Sequence, residues 1–228
     1  HTNVEYYYVK TTDNVQMNWG SVSFRNHRRN LEYPYPAESK QGWEYGAEGL
    51  LINGYSSQDY FTGGRFLLMG GRKFSERFQS EVRLGPHVLS DSATHKKRLI
   101  FAGDLVNYFV FMDLIRGLFG VKRDYAYIYL IQPGGISEHL TVINFYSTVN
   151  IRYSEHFQSR IRTNYFLISD SNRKFVTDAN LLYGISTGTP WIWAGVGAER
   201  TTHTKTMPNY WSPGEFFAYG FRSEAVFP

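Results

Sequence analysis

Five histidines and a short run of serine and aspartate are the residues that could give this chain catalytic chemistry. A serine hydroxyl becomes a nucleophile when a histidine removes its proton and a carboxylate orients that histidine. The residues that could form such a group are His87, His95, His139, His156 and His203, with Ser90, Asp91 and Ser92. Nearly all of them lie in predicted loops or at predicted strand ends, and no recognisable nucleophile motif surrounds them. We therefore predict that the chain is not an enzyme, with a lipid-acting enzyme as an alternative.

Metal and cofactor binding have less support in the sequence than catalysis. The chain has no cysteine, which excludes thiolate metal sites and disulfides, and no two of its 7 histidines are two or four residues apart. The 24 basic and 20 acidic residues are spread along the chain, so its net charge of +4 forms no concentrated basic patch. We predict no metal, no cofactor and no nucleic-acid partner.

The elements that must position any site are predicted to be β-strands, because polar and apolar residues alternate along most of the chain. Between residues 141 and 153, Ile143 and Phe145 share one face while Asn144 and Arg152 share the other. The predicted strands span 3–10, 16–26, 42–53, 58–70, 74–86, 97–113, 122–132, 138–153, 157–169, 174–187, 190–204 and 213–227. Glycine pairs and Asx-rich runs mark the breaks, as at 70–71 and 170–172. We predict one all-β domain over 1–228.

The predicted strands are long enough to cross a membrane. A tilted membrane-spanning strand needs about 9–11 residues, whereas strands of soluble proteins have about 5–6. Aromatic residues also gather near predicted strand ends, as in the interfacial girdles of outer-membrane barrels. These residues are Trp43, Tyr45, Tyr60, Phe61, Tyr125, Trp191, Trp193, Tyr210 and Trp211. The pattern favours an antiparallel up-and-down transmembrane β-barrel of about twelve strands. A soluble lipocalin-like barrel or sandwich is the alternative.

Connection lengths give an expected orientation. Three of the predicted connections that follow even-numbered strands are very short, as periplasmic turns are. This places both termini on the periplasmic side. The predicted connections 27–41 and 114–121 are too long for this rule, and we expect them to fold as flaps or plugs. The chain begins at His1 without Met, and we expect a processed chain or an excised domain.

A short motif precedes the last predicted strand. Residues 209–217 read Asn-Tyr-Trp-Ser-Pro-Gly-Glu-Phe-Phe, followed by an aromatic-rich strand that ends at Phe227 and Pro228. The segment Trp211-Ser212-Pro213 resembles the aromatic-Ser-Pro motif of exopolysaccharide export porins of the cellulose and poly-N-acetylglucosamine secretion type. The resemblance implies a C-terminal outer-membrane barrel with up to sixteen strands, a polysaccharide cargo and a periplasmic scaffold or repeat domain as partner. A girdle tryptophan followed by a strand-starting proline explains the same residues without any function.

If the apolar face meets lipid, the polar face lines a lumen. The residues predicted to line it are Arg77, Arg83, Arg152, Arg160, Arg162, Arg222, Glu44, Glu48, Glu81, Asp178, Glu199 and Glu224. Six cations and six anions give no net field, and such walls commonly form cross-strand salt bridges. About twelve strands would leave a narrow or partly plugged bore.

These observations predict an outer-membrane pore in a Gram-negative envelope. Its expected cargo is a polysaccharide chain or another polar solute, and its expected surroundings are the lipid bilayer and lipopolysaccharide. The alternatives are the lipid-acting barrel enzyme and a non-conducting structural or adhesion barrel.

Overall fold

The computed structural model describes residues 2–10, 16–26, 43–56, 59–92, 95–126, 139–186, 191–208, 210 and 212–226. They form twelve strands, β1 (Thr2–Lys10), β2 (Gln16–Arg25), β3 (Trp43–Ser56), β4 (Asp59–Ser75), β5 (Phe78–Asp91), β6 (Lys97–Phe111), β7 (Ile115–Tyr125), β8 (Thr141–Ser154), β9 (Phe157–Ile168), β10 (Arg173–Ser186), β11 (Trp191–His203) and β12 (Glu215–Val226). Each strand pairs antiparallel with the next in a single sheet. The predicted all-β, up-and-down, twelve-stranded fold is confirmed.

The two faces of the sheet differ in polarity in the predicted sense. In β5, Glu81 and His87 are buried, whereas Val82, Leu84 and Val88 are exposed. Successive side chains of a strand point to opposite faces, so in β5 the buried face carries charged groups together with Leu89, and the exposed face carries aliphatic groups. This polarity is the reverse of that in a soluble barrel.

The sheet is strongly curled, and its polar face is concave. Ion pairs cross this face between strands that are not neighbours, from Arg25 on β2 to Glu81 on β5 and from Arg160 on β9 to Glu224 on β12. The Tyr146 hydroxyl on β8 likewise donates to Asp104 on β6. The strand order begins with β1 and ends with β12, and no ladder joins these two edges among the described residues. The curl is consistent with a barrel.

The connections fall into two groups, which define the two ends of the sheet. The turn end carries the connections after the even strands, including 76–77, 112–114 and 155–156, and also the longer segment 26–42. The loop end carries those after the odd strands, including 126–140 and 204–214. The start of β1 and the end of β12 both lie at the turn end, because the strands alternate in direction and number twelve.

Two predicted connections are wrong. Residues 115–125 form β7 rather than a loop, and the chain turns at 112–114. Gly117 and Gly120 interrupt the apolar pattern of β7, but both continue the ladders with β6 and β8. Gly70 and Gly71 do not form a turn either, since β4 continues to Ser75. Residues 127–132, the end of the predicted strand 122–132, lie outside the described residues.

The described part of the chain contains no helix that is long and apolar enough to cross a membrane.

Candidate functional site

The centre of the concave face holds a compact group of charges around Arg65. One guanidinium nitrogen, Nη2, lies 2.5 Å from Glu48 Oε1, and Nη1 donates to Asp124 Oδ2. The other oxygen of Asp124 lies 2.6 Å from His87 Nδ1. The Arg65 side chain is 9% exposed and that of Asp124 is 1% exposed. Strands β3, β4, β5 and β7 therefore meet through buried groups whose charges compensate one another.

A second group lies beside the first, toward the turn end. Arg83 Nε lies 2.9 Å from Glu81 Oε1, and Arg25 Nη1 lies 2.9 Å from Glu81 Oε2. Arg83 also approaches Asp104 at 3.6 Å, and Asp104 accepts a 2.6 Å hydrogen bond from Tyr146. The shared partners make one network across β2, β5, β6 and β8.

On the opposite wall, β9 to β12 carry a looser set of charges. Arg160 donates from Nε to Asn150 at 2.9 Å and from Nη1 to Glu224 at 3.1 Å. Arg222 Nη2 lies 3.5 Å from Asp178 Oδ2. Glu199 accepts a 3.3 Å hydrogen bond from Thr201. Because Arg222 and Glu224 keep 48% and 41% of their side-chain surface exposed, this wall is more open to solvent than the Arg65 group.

The remaining predicted lumen residues have different positions. Glu44 is buried and accepts a 3.1 Å hydrogen bond from Gln79. Arg162 lies opposite Thr148 on β8 and Asp178 on β10, which are inward positions. Arg162 is therefore on the inner face, and its side chain is exposed. Arg152 is exposed near the turn end, where it donates to the Ser154 carbonyl at 3.3 Å. Arg77 is not on the wall, because it occupies the exposed 76–77 turn that was predicted to lie within a strand.

Several wall residues were not predicted from the sequence. They are Arg25, Arg65, Asp104, Lys122, Asp124 and Tyr146, with His87, which was considered only as a catalytic candidate. The alternation of inward and outward side chains could have placed Arg65 on the polar wall. Its neighbours at two-residue spacing, Gly63 and Leu67, are inward, while Phe66 and Leu68 are outward. Which charges meet could not have been found, since the partners lie far apart in sequence.

Two clusters of buried apolar side chains lie in the interior near the loop end, and together we call them the loop-end core. One cluster contains Met17, Ile52, Phe61, Leu89, Ile100 and Tyr125. A second contains Ala126, Leu140, Val142, Phe166, Ile168 and Tyr210. The first cluster comes from strands β2 to β7, and the second comes from β8, β9 and the connections 126–140 and 204–214. Both clusters lie at the loop end of the concave face.

Aromatic side chains form a band on the outer face near the turn end, which we call the turn-end aromatic band. Its members are Trp43, Tyr45, Phe74, Phe78, Phe111, Tyr153, Phe157 and Tyr183. Ring contacts join neighbouring hairpin arms, with centroids 5.8 Å apart for Phe74 and Phe78. Tyr8, Tyr55, Tyr60 and Phe217 are exposed on the outer face near the loop end. Between the two sets lie exposed aliphatic and phenylalanine side chains such as Leu68 and Phe101.

Of the residues predicted to form the girdle, Trp43, Tyr45 and Tyr60 are exposed on the outer face, and four others are not. Those four are Phe61, Tyr125, Trp193 and Tyr210, which are buried. Phe61 is adjacent to Tyr60 and must point inward if Tyr60 points outward. The Trp191 side chain and Trp211 lie outside the described residues.

The predicted Ser-Pro motif organises the connection between β11 and β12. Ser212 Oγ accepts a 2.6 Å hydrogen bond from the Met207 amide, and the Pro213 carbonyl lies 3.0 Å from His203 Nδ1. Tyr210 donates to Asp170 at 2.8 Å, which ties this connection to the turn between β9 and β10. Ser212 and Pro213 therefore have a structural role at the loop end and are not on the polar wall.

Two of the catalytic candidates, His139 and Asp91, contact each other at the loop end. His139 Nε2 contacts Asp91 Oδ2, and His139 Nδ1 has no hydrogen-bond partner among the described residues. The Ser92 hydroxyl accepts from the Tyr60 amide at 2.9 Å. In the described ranges no three His, Asp or Glu side chains are grouped as a metal site.

A cavity of about 240 Å³ opens on the concave face beside the Arg65 group. Its lining comes from β1 to β4 and β7 and consists of Glu5, Tyr7, Met17, Trp19, Ser21, Glu48, Leu50, Ile52, Arg65 and Lys122. The cavity thus has charged, hydroxyl, aromatic and aliphatic groups within one small volume.

The fold and the wall define a class in structural terms: a twelve-stranded antiparallel sheet, curled around a polar interior, with an apolar outer face. No protein-family model, curated protein or solved structure matches this chain.

Proposed function

We propose that this chain is an outer-membrane β-barrel pore for polar solutes, with a polysaccharide chain as the expected cargo. The observation that carries the proposal is the reversed polarity of the sheet. Phe101 and Leu68 are 60% and 62% exposed on the outer face, while Glu81 and Asp124 are buried on the inner face. Burying one such apolar side chain contributes about 1.5–3 kcal/mol, and hydrocarbon is the solvent that would provide this gain around the whole outer face.

The turn-end aromatic band supports the same placement of the outer face in a membrane. Outer-membrane barrels carry aromatic girdles at both interfaces, with an apolar band about 25 Å tall between them. Tyr60 and Phe74 lie near the two ends of β4, on the outer face, with Phe66 and Leu68 between them. The short connections at the turn end suit the periplasmic side. We therefore propose that the loop end faces the cell exterior.

The polar wall supports a neutral or weakly charged cargo. Cations and anions alternate on it and are mostly paired with each other, as Arg83 is with Glu81 and Arg160 is with Glu224. A wall without net charge does not hold an ion strongly, and conduction requires binding that is weak enough for release. Hydroxyl-rich chains can exchange one weak hydrogen bond for another along such a wall.

We further propose that the loop-end core closes the pore. Apolar constrictions can stop permeation by excluding water, and the cluster that contains Phe61, Leu89 and Ile100 is the part of the interior to which we assign this role. Opening then requires that this core be displaced or that its side chains be removed.

Planar-bilayer recording on the refolded chain tests the proposal. Folding is checked first by gel migration with and without boiling, and the chain is expected to require detergent or lipid. We expect discrete conductance steps, with a larger step in Leu89→Ala, which thins the loop-end core, than in the matched outer-face variant Val88→Ala. A folded protein that keeps the bilayer sealed in both the parent chain and Leu89→Ala contradicts the pore and leaves a structural barrel. A chain that is monodisperse in plain buffer contradicts the membrane placement.

A further inference from the structure

We infer that the cavity on the inner wall of β1 to β4 is a binding site for one ring of a neutral saccharide. This inference rests on the proposed function only in that the ligand must reach the concave face. The site lies next to the Arg65 group and directly above the loop-end core, so a solute entering from the turn end would meet it before the apolar constriction.

An aromatic platform forms one side of the cavity. Tyr7 and Trp19 are directly opposite each other in the ladder between β1 and β2, and both point inward. Their ring centroids lie 5.3 Å apart with an interplanar angle of 24°. Tyr7 is 47% exposed, whereas Trp19 is partly buried and packs against the loop-end core, so a ligand reaches the platform from its Tyr7 side. The electron-rich face of an aromatic ring attracts partial positive charge, and the C–H groups on one face of a pyranose carry such charge.

Polar groups stand around this platform and offer both donors and acceptors. Arg65 and Lys122 can donate, Glu5 and Glu48 can accept, and the Ser21 hydroxyl can do both. The lining therefore presents charges of both signs, and Arg65 is already paired with Glu48 and Asp124. A hydroxyl group both donates and accepts, so a ligand with several hydroxyls can satisfy this mixed set, while a purely anionic or purely cationic ligand would oppose half of it.

The floor and the size of the cavity narrow the ligand further. Met17, Leu50 and Ile52 form an aliphatic floor that continues into the loop-end core. The volume of about 240 Å³ is below the range of about 300–1,000 Å³ that is typical of sites for drug-sized ligands. One sugar ring, with an apolar face and a hydroxyl edge, fits this combination of size and polarity.

Calorimetric titration of the refolded chain in detergent tests the site without any transport. The probes are cellohexaose as a neutral saccharide, hexagalacturonate and chitosan hexamer as charged ones, and thymidine as an aromatic ring with hydroxyls. The test variants are Trp19→Leu and Tyr7→Leu, each of which removes one ring of the platform but keeps an apolar side chain. Trp43→Leu, on the outer face, is the matched control. Gel migration confirms the folding of each variant.

We expect cellohexaose to bind more tightly than the other three probes. Each platform variant should weaken cellohexaose binding by about 2- to 10-fold, the range that corresponds to an aromatic contact of about 0.5–1.5 kcal/mol, and Trp43→Leu should leave it unchanged. Equal binding by the parent and both platform variants overturns the site. Tighter binding of a charged probe or of thymidine overturns the ligand class. Saccharide binding by a protein that never conducts supports the site and removes the pore, whereas conductance without saccharide binding does the reverse.

Discussion

Replacing Glu5 and Arg222 with cysteine should join the two edges of the sheet by a disulfide. The strands alternate in direction and number twelve, so β1 and β12 can pair antiparallel to close the sheet. The ladder registers shift steadily along the strands from β1 to β12. The stagger of a barrel is the number of residues by which the strand register is displaced after one circuit of the sheet. A stagger of about 12 residues gives a strand tilt of about 35°. It places Glu5 opposite Arg222 on the inner face. The outer faces then match Tyr6 with Phe221.

An open sheet edge would cost a large free energy if the sheet lies in a membrane. Strand β1 has 9 residues, and an unpaired edge of that length leaves about nine backbone N–H and C=O groups without partners. Each such group costs several kcal/mol in hydrocarbon, so an open edge costs on the order of tens of kcal/mol. No side-chain contact described above is comparable. Closure is therefore the expected state in lipid, although the ladder between β1 and β12 is not formed here.

The assay is oxidative cross-linking of paired cysteine variants after refolding. The chain has no native cysteine, so each engineered pair reports alone. Glu5→Cys is combined in turn with cysteine at Gly220, Arg222 and Glu224, which correspond to staggers of about 10, 12 and 14 residues. The pair at Ser21 and Leu50, which face each other in the ladder between β2 and β3, is the positive control. Cross-linking is read as faster gel migration that a reductant reverses.

The expected result is one strongly cross-linked partner, with Arg222→Cys the most efficient and its neighbours weaker. Cross-linking at Ser21 and Leu50 but at none of the three β12 positions would refute closure between these two strands. A maximum at Glu224 instead would keep closure and correct the stagger to about 14 residues.

Three other substitutions test separate parts of the structure. Arg65→Met leaves two buried carboxylates without their guanidinium and should lower the unfolding free energy by about 3–5 kcal/mol, measured by urea titration in detergent; an unchanged midpoint would show that the group is not buried as described. Ser212→Ala removes hydrogen bonds within the loop and should cost about 0.5–1.5 kcal/mol with the conductance unchanged; a changed conductance would contradict its structural role. Leu68→Lys, at the middle of the outer face, should cost about 2–4 kcal/mol in lipid, while Glu76→Lys in the exposed 76–77 turn should cost nothing measurable; equal effects would contradict the membrane placement.

The strand order could be predicted because one physical rule repeats along the chain. Along the membrane-length strands the outer residues are mostly apolar, and they alternate with inner residues that are often polar, as Phe145 does with Asn144 in β8. Since neighbours in sequence also pair in space, recognising the strands was sufficient to recover the whole sheet. The wall positions of Arg160, Asp178 and Glu224 followed from the same parity.

The turns were less predictable, because some lack the residues that normally mark them. Met112 and Asp113 both adopt positive φ, 51° and 54°, in the connection between β6 and β7. Tight hairpin turns of this kind usually contain Gly or Asn, and here neither is present. Conversely, Gly70 and Gly71 lie within β4. The predicted boundaries shifted at these two places for that reason.

The contacts of the candidate site could not be predicted, because they depend on the curl of the sheet. Arg25 meets Glu81 across 56 positions of sequence, and Arg65 meets Asp124 across 59. Tyr7 and Trp19 form a platform only because the ladder between β1 and β2 places them opposite each other. Strand register and curvature are global properties, and the alternation of single residues does not encode them.

The order of the strands also has a consequence for how the molecule assembles. Every ladder joins consecutive strands, so eleven hairpins can form from nearby segments, and contacts of this kind favour fast folding. The seam between the first and last strands is different, because it must join positions more than 200 residues apart. The chain entropy lost in that step exceeds that of a ten-residue hairpin by about 3 kcal/mol. The seam should therefore form last during insertion and open first under denaturant.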